Sequence, residues 1–352
     1  MQQDLIKKTA ICSIVFFVIS MALIIYLSSE KVITVVDVAQ DEVSGETMVK
    51  TGIDEQEGQR NLTFLLGEAD TSYLRIPLPE GCKAGEIVIE NHYMDRELWL
   101  LIPKAEESFY ADNAISGNRE MIKQGSYEVA EDGCRLKFQL SGIFECRTIL
   151  ENSNLYISFS SPREMYDKIV VIDPAFGGSD TGAASGNLLE KDIALSVARK
   201  LKQKLDGSGV KAYYTRMDDV NPSEKDRIAL ANDAKADMYI GIRVNAVEDS
   251  AVYGTETVYN GDYFIPGFGS VELADCLERE VVTNIKGKGL GLVEASEDDY
   301  TIRNATIPAA AIKVGCITNK QEATLLAKEE YIDKIATGIY NAIMKIYAEE
   351  KQ

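Results

Sequence analysis

The sequence predicts an α/β fold with a mostly parallel sheet and helices on both faces, preceded by a small β-sandwich-like domain and an N-terminal transmembrane helix. Three observations support this prediction. An uncharged apolar run lies near the N-terminus, short alternating runs fill residues 31 to 167, and strands alternate with helices from residue 168 onwards. Such alternation is typical of a parallel sheet covered by helices on both sides.

The N-terminal residues predict a membrane anchor. The run from residue 9 to 27 has 19 uncharged residues, and at 1.5 Å per residue it covers about 28 Å, close to the roughly 30 Å of hydrocarbon in a bilayer. We therefore expect a cytoplasmic tail at residues 1–8 and a signal-anchor at residues 9–28. Two lysines before the run place the bulk of this single-pass protein outside the cell membrane. A cleaved signal peptide is the alternative, although the residues after the run form a poor cleavage site.

Residues 29–165 predict a β-rich accessory domain. Runs with a period near two, separated by Gly, Pro, Asn and Asp, are typical of strands, and strands without intervening helices favour a small β-sandwich. The one histidine of the chain, His92, has no acidic or thiol cluster around it in the sequence, so we interpret it as a structural or surface residue rather than a ligand. The predicted strands are residues 74–78, 86–89, 98–101, 136–140 and 155–159.

Residues 166–352 predict the α/β domain. Its first strand ends in Asp173 and Pro174 followed by a glycine pair, which favours a turn at the sheet edge where α/β proteins place their chemistry. Asn221 is the expected N-cap of the second helix, with Pro222 at its first position, and Asn319 caps a later short helix. Strands are predicted at 168–173, 210–215, 237–242, 254–259 and 309–314, and helices at 190–206, 222–234, 270–285 and 329–347.

Composition excludes some partners. The 37 Lys and Arg against 56 Asp and Glu give a net charge of −19 without a basic patch, so we expect no nucleic acid. The glycine-rich segments 177–178 and 287–289 match neither a P-loop nor a dinucleotide fingerprint, which disfavours nucleotides. The six cysteines form no C-x-x-C pair; buried free thiols are expected, with a disulfide between Cys134 and Cys146 as the alternative.

Four stretches of the second domain occur in the order of a known family. They are KIVVIDPAFGG from residue 168, NLLEKDIALSVARKLKQKL from 187, ADMYIGIRVNA from 236 and IPAAAIKVGCITN from 307. Residues 168 to 348 resemble the zinc-dependent N-acetylmuramoyl-L-alanine amidases, which cut the peptide stem from the sugar of bacterial peptidoglycan. By its position and strand pattern, the β-rich domain resembles the AMIN-type accessory domains that target some of these enzymes to the cell wall.

The resemblance implies a zinc site and a general base, and this chain departs from it at three of four positions. Phe176 stands where the family has one His ligand, Arg243 where it has another, and Lys313 where it has the catalytic Glu. Glu190 matches the remaining ligand. Because a phenyl ring, a guanidinium and an ammonium group give zinc no electron pair, we expect neither zinc nor another metal or cofactor.

Charge balance predicts what replaces the metal. A buried Glu190 without zinc is costly unless a cation pairs with it, and a guanidinium has the best shape for this. We predict an ion pair between Arg243 and Glu190, supported by Lys313. We expect Phe176 to fill the space of the missing imidazole, and Phe176, Glu190, Arg243 and Asn245 to form the remnant binding pocket.

Two functions are compatible with these residues. The first is a membrane-anchored, extracytoplasmic pseudo-amidase that binds peptidoglycan or a cell-wall protein and regulates wall turnover without hydrolysis. The alternative is an active amidase that hydrolyses the bond between N-acetylmuramoyl and L-alanine, with substitute ligands or with Lys313 and Glu190 as a metal-free catalytic pair. Only the first agrees with the loss of the ligand set.

Overall fold

A computed structural model describes residues 32–39, 59–65, 72–262 and 267–349. The predicted tail at residues 1–8 and the predicted anchor at residues 9–28 lie outside these ranges. Within them, no helix combines the length and the apolar character that crossing a bilayer requires.

The accessory unit consists of two sheets around one hydrophobic cluster. A six-stranded sheet has the order β1-β4-β5-β8-β7-β2, and a four-stranded sheet has the order β6-β3-β10-β9. Neighbouring strands are antiparallel except β1 and β4. The strands are β1 (Val35–Asp37), β2 (Arg60–Asn61), β3 (Leu74–Pro77), β4 (Val88–His92), β5 (Glu97–Pro103), β6 (Ser116–Gly117), β7 (Ile122–Ala130), β8 (Gly133–Leu140), β9 (Glu145–Glu151) and β10 (Asn154–Ser160), with short helices α1 (Phe109–Asp112) and α2 (Pro162–Met165).

The alternation of buried and partly exposed residues explains why these segments form strands. In β5 and β8 every second residue is buried, and these inward residues, such as Leu98, Leu100 and Phe138, form the shared core. One predicted boundary is wrong: the strand expected at residues 86–89 starts at Val88, because Ala84–Glu86 forms a 3-10 turn. The five cysteines that the structure describes are free thiols, which excludes the alternative Cys134–Cys146 disulfide.

The second unit is an α/β sheet with the order β14-β11-β15-β18-β16-β17. The first four strands in this order are parallel, β16 is antiparallel to β18, and β17 is parallel to β16. Its strands are β11 (Ile169–Pro174), β14 (Lys211–Tyr214), β15 (Met238–Asn245), β16 (Thr255–Tyr259), β17 (Gly289–Glu294) and β18 (Ala309–Cys316), with a hairpin of β12 (Ala184–Ser185) and β13 (Leu188–Leu189). The sheet is thus mostly parallel, as predicted, although the sequence did not indicate β17.

The helices cover both faces of this sheet, as the continuous burial of β11 and β18 requires. The first group consists of α3, α5 and α8, and α8 packs against both α3 and α5. The second group consists of α4, which contacts β11, and α6, which contacts β18. The helices are α3 (Glu190–Leu205), α4 (Glu224–Asp233), α5 (Ser270–Ile285), α6 (Tyr300–Arg303), α7 (Lys320–Leu326) and α8 (Glu329–Glu349).

The N-caps of two helices show where the local sequence was sufficient to predict the structure and where it was not. Asn319 accepts hydrogen bonds from the N–H groups of Gln321 and Glu322, so it caps α7 as predicted. The predicted cap of α4 is wrong: Ser223 is the N-cap and accepts from Asp226 N–H, while Asn221 accepts a hydrogen bond from the Arg227 guanidinium. The Asn221 side chain therefore contacts a residue of the first two turns of α4 instead of capping the helix.

The two units meet at strand β14. The Tyr93 hydroxyl of the accessory unit donates to Tyr214 O at 2.8 Å and accepts from Tyr214 N–H at 3.0 Å. Lys211 Nζ lies 2.8 Å from Glu145 Oε1, and the Tyr213 hydroxyl donates to the same carboxylate. The accessory unit thereby satisfies both outward backbone groups of Tyr214 with one side chain.

We predict that Tyr93→Phe weakens this junction, because it leaves a buried N–H and a buried C=O without a partner. The expected loss is about 1–3 kcal/mol of the free energy of unfolding. It should appear in urea denaturation of the full-length chain and as faster hydrogen exchange at the Tyr214 amide. Tyr300→Phe is the matched control, since that ring is 39% exposed; equal effects of the two changes would contradict the assignment.

Candidate functional site

The predicted site residues lie where three strands and one helix meet. Phe176 follows the carboxyl end of β11, and Glu190 is the first residue of α3. On the neighbouring strands, Arg243 of β15 is in register with Lys313 of β18, and Asn245 with Cys316. The carboxyl ends of parallel strands share one sheet edge, so the fold brings the sequence-predicted residues to one region.

A buried ion pair supports the turn after β11. Asp173 accepts hydrogen bonds from Thr215, Tyr239 and Arg227, whose guanidinium lies 2.6 Å away. Burial by itself raises the pKa of the Asp173 carboxyl, but the Arg227 charge and the hydrogen bonds outweigh burial and hold the pKa below its ordinary value. Arg227 also donates to Pro174 O and Phe176 O. The pair therefore fixes the path of the turn.

A second arginine, which the sequence analysis did not single out, completes the support. Arg216 is fully buried and donates to the carbonyl oxygens of Pro174, Ala175 and Lys191. It joins the turn to the start of α3, which carries Glu190. No local pattern marked Arg216, because its partners are backbone groups of distant segments.

Phe176 and Glu190 approach each other beside Gly182. A Cβ added to Gly182 would lie 2.6 Å from the Phe176 ring and 2.8 Å from Glu190 Oε2. Phe176 itself has φ 61, a left-handed conformation that non-glycine residues seldom adopt and that the Arg227 bond to its carbonyl helps to hold. The ring and the carboxylate therefore both lie next to Gly182; that the ring takes the place of an imidazole stays a prediction.

Glu190 is buried, and both oxygens of its carboxylate accept hydrogen bonds from backbone N–H groups. It is 4% exposed; Oε1 accepts from Val244 N–H at 2.7 Å and Oε2 accepts from Ala183 N–H at 2.9 Å. Burial raises the pKa of the Glu190 carboxyl, and the two N–H groups and the more distant charges of Arg243 and Lys313 offset only part of this effect.

The predicted ion pair between Arg243 and Glu190 is wrong. Arg243 Nη1 lies 2.7 Å from Asp299 Oδ1, and its other nitrogen is 3.4 Å from the Thr301 hydroxyl. Asp299 is held by the N–H and hydroxyl of Ser296. Burial raises the pKa of Asp299, but the Ser296 bonds and Arg243 outweigh it, so the pKa is lowered and the partner stays ionised.

Lys313 also has its own partner and does not pair with Glu190 as predicted. Its Nζ lies 2.7 Å from Glu256 Oε1, and the two residues are directly opposite in the antiparallel pair of β16 and β18. Opposite charges at such positions attract each other across a sheet. Each of the two cations is therefore neutralised by an acid that comes from a neighbouring element.

The donor set does not fit a zinc ion. A catalytic zinc is held by three protein ligands from His, Cys, Asp or Glu and by one water, and no group of three or more such residues is arranged to hold a metal in the described part of the chain. Both Glu190 oxygens accept N–H groups, and the side chains of Phe176 and Arg243 offer no ligand atom. No step of a reaction can be assigned to a metal at these residues.

The remaining candidates have structural roles. His92 is buried against the Trp99 ring, with its Nε2 3.1 Å from Glu90, as expected for a structural residue. Cys316 is buried and its sulfur lies 3.1 Å from the Thr318 hydroxyl. Asn245 is buried and its carbonyl accepts from Ile317 N–H.

Sequence reasoning missed the two acids that pair with the cations. Glu256 had a usable signal, since it lies in a predicted strand where a charge needs a partner, but the choice of β18 as neighbour required the sheet order. Asp299 lies in an acidic segment, Glu297-Asp298-Asp299, that reads as a solvated loop. Its separation from Arg243 by 56 positions left no local pattern to follow.

Comparisons with known proteins place similarity in the α/β unit. A family profile described as N-acetylmuramoyl-L-alanine amidase matches residues 170–345. The germination-specific N-acetylmuramoyl-L-alanine amidase of Bacillus subtilis (strain 168) is 33% identical over 198 residues, which cover 52% of this chain and 81% of that protein.

Two further relatives were found. The uncharacterized protein YqiI of Bacillus subtilis (strain 168) is 36% identical over 180 residues, covering 51% of this chain and 85% of that protein. The crystal structure of N-acetylmuramoyl-L-alanine amidase from Clostridium difficile 630 is 33% identical, covers 53% of this chain and 98% of that one, and superposes with a TM-score of 0.49.

We predict that Gly182→Ala destabilises the chain more than Gly186→Ala. Both glycines have φ +61, but only Gly182 has neighbours within 4 Å of an added Cβ. Gly186→Ala should cost about 1–2 kcal/mol for the left-handed conformation, and Gly182→Ala about 1–3 kcal/mol more for displacement of the ring and carboxylate. Equilibrium unfolding measures both.

A double variant shows whether Phe176 causes the difference. In a Phe176→Ala background, Gly182→Ala should lose part of its extra cost, because the ring 2.6 Å from the added carbon is gone. An unchanged cost in that background, or equal costs for the two glycines, would show that Phe176 does not pack in the pocket.

Proposed function

The chain belongs to the N-acetylmuramoyl-L-alanine amidase family, and we propose that it is a non-hydrolytic member with a binding or regulatory role at peptidoglycan. The observation that carries this proposal is the set of contacts made by Glu190, Arg243, Lys313 and Phe176. Glu190 is engaged by two backbone N–H groups, Arg243 and Lys313 each pair with a separate acid, and Phe176 has no ligand atom.

The chemistry of amide hydrolysis supports the proposal. Bound zinc supplies a water whose pKa is lowered toward about 7, and a carboxylate base accepts its proton. Lys313, at the position of that base, is 25% exposed and paired with Glu256, so it offers no free base. Glu190 is 4% exposed and accepts two hydrogen bonds, so a metal-free pair of Lys313 and Glu190 has no support from their contacts.

The remnant pocket keeps features suited to binding. Phe176 is partly exposed and directly precedes the Gly177–Gly178 turn. Arg243 and Lys313 retain 17% and 25% side-chain exposure, so each can approach a carboxylate of a wall peptide while it stays paired. We therefore propose that Phe176, Glu190, Arg243 and Asn245 shape a pocket that receives a cell-wall fragment or a wall-associated protein without cleaving it.

The proposed location follows from the N-terminal sequence. The uncharged run at residues 9 to 27 and the lysines before it favour a single-pass anchor with the accessory and α/β units outside the cell membrane. Peptidoglycan lies on that side of the membrane, so the proposed binding role and the proposed topology agree. The rival function, an active amidase that cleaves between N-acetylmuramoyl and L-alanine, rests on family membership alone.

The test is zinc content and peptide release by the purified full-length chain. We expect substoichiometric zinc after exposure to equimolar metal and no stem peptide released from peptidoglycan. Stoichiometric zinc together with turnover would overturn the proposal and establish the active amidase.

A triple variant tests whether the residues at positions 176, 243 and 313 account for the proposed lack of zinc binding. Phe176→His, Arg243→His and Lys313→Glu together restore the donor types of the family, and we expect about one tightly bound zinc per chain. The matched control, Phe176→Leu, Arg243→Gln and Lys313→Gln, removes the same cations without adding donors and should bind none. Zinc bound equally by both variants would place the metal elsewhere.

A further inference from the structure

The outer face of the four-stranded sheet carries tyrosine and arginine side chains. On β3 and β10 the inward residues, such as Leu74 and Leu155, are fully buried in the core of the accessory unit. Side chains alternate across a strand, so the residues between them point outward. The outward residues at the middle of this sheet, with one residue just before β3, form what we call the Tyr–Arg face: Tyr73, Arg75, Arg147, Ile149, Tyr156 and Ser158.

The strand register brings these side chains together. Tyr156 is directly opposite Arg75 on one side and Ile149 on the other. The rings of Tyr73 and Tyr156 lie 6.4 Å apart in an edge-to-face arrangement. Tyr73 is 39% exposed and Ile149 is 42% exposed. The accessory unit therefore presents an aromatic surface with arginines beside it.

The two arginines of this face have no described acid as a partner. Arg75 Nε donates to Asn154 Oδ1 at 2.9 Å, and no described side chain bonds the Arg147 guanidinium. Exposed arginines elsewhere, such as Arg199 and Arg279, each pair with an acid. On a chain with a net charge of −19, two exposed cations without an acid indicate an anionic ligand.

Acids at the two ends of β9 do not cancel this charge. Glu145, at the start of the strand, is buried and pairs with Lys211 of the α/β unit. Glu151 is the last residue of the strand and forms no described ion pair with Arg147. The α/β unit thus contacts the start of β9, while the residues further along the strand stay exposed.

The positions of the arginines favour a ligand with more than one charge. β10 lies between β3 and β9, and neighbouring strands are about 4.8 Å apart. Arg75 and Arg147 therefore flank the Tyr156 ring instead of standing side by side. A ligand that lies on this ring meets a cation on each side.

The size of the face favours a ligand smaller than a protein. Three strands of at most 7 residues cover about 14 by 24 Å, or roughly 300 Å², whereas each partner of a stable protein complex buries about 800 Å². The negative π face of a tyrosine attracts the C–H groups of a sugar ring. A sugar acid adds a carboxylate, which arginine binds through two parallel hydrogen bonds.

We propose that the Tyr–Arg face binds a short stretch of an acidic polysaccharide. A sugar ring lies on the Tyr156 ring, and the carboxylates of the sugar units on either side bind Arg75 and Arg147. The site belongs to the accessory unit and is separate from the remnant pocket. The proposal does not depend on whether the chain hydrolyses peptidoglycan.

The test uses tetragalacturonate, a chain of four sugar acids, in calorimetry with the full-length chain. Its methyl ester keeps the sugar rings without the charges, and capped tetraglutamate keeps four carboxylates without the rings. We expect tetragalacturonate to bind and each control to bind at least about 10-fold more weakly, because each control lacks one of the two contacts. No binding of tetragalacturonate at millimolar concentration, or equal binding of either control, would overturn the proposal.

Nitration of exposed tyrosines locates the site. Tyr73 and Tyr300 are both 39% exposed, and Tyr300 belongs to the α/β unit, so it is the internal control. We expect saturating tetragalacturonate to protect Tyr73 from tetranitromethane and to leave the nitration rate of Tyr300 unchanged. Equal protection of the two tyrosines, or none at Tyr73, would contradict binding at the Tyr–Arg face.

A substitution at Arg147 tests the charge contact. Arg147→Gln should fold, since the guanidinium has no described partner, and it should weaken tetragalacturonate about 10-fold without weakening the methyl ester. The matched control Arg279→Gln changes an exposed arginine of α5 and should bind within about twofold of the natural chain. Unchanged affinity in Arg147→Gln, or equal losses in the two variants, would overturn the proposal.

Discussion

The ion pair between Asp173 and Arg227 is the interaction on which the rest of the α/β unit's functional edge depends. Both side chains are buried, at 2% and 3% exposure, where removal of either partner would leave an uncompensated charge. Asp173 also accepts hydrogen bonds from the hydroxyls of Thr215 and Tyr239, and Arg227 donates to the carbonyl oxygens of the turn after β11. The pair therefore holds the turn that carries Phe176 in place.

The charged side chains at this edge each have a separate partner. Arg243 and Lys313 bring positive charge to the edge, and each pairs with a carboxylate on an adjacent element, Asp299 or Glu256. Glu190 needs no cation, because two backbone N–H groups satisfy its oxygens and hold it near the start of α3. Two separate ion pairs neutralise the cations, and hydrogen bonds stabilise Glu190 without a cation, so no shared charge cluster forms.

The accessory unit affects the α/β unit through its edge strand. Tyr93, Glu145 and Asp37 contact β14 from outside and complete hydrogen bonds that a free edge would leave to water. Side chains of both units line a cleft at this junction, among them Tyr93 and Met217.

The sequence alone determined the alternation of strands and helices in the α/β unit and the order of the family's motifs, with its three departures at Phe176, Arg243 and Lys313, because period and motif are properties of neighbouring residues. Only the tertiary structure decided the partners of Arg243 and Lys313, the reversed β16–β17 pair and the junction at β14. These depend on which distant segments lie side by side, and a charged side chain pairs with the acid that folding brings closest, whatever its place in the chain.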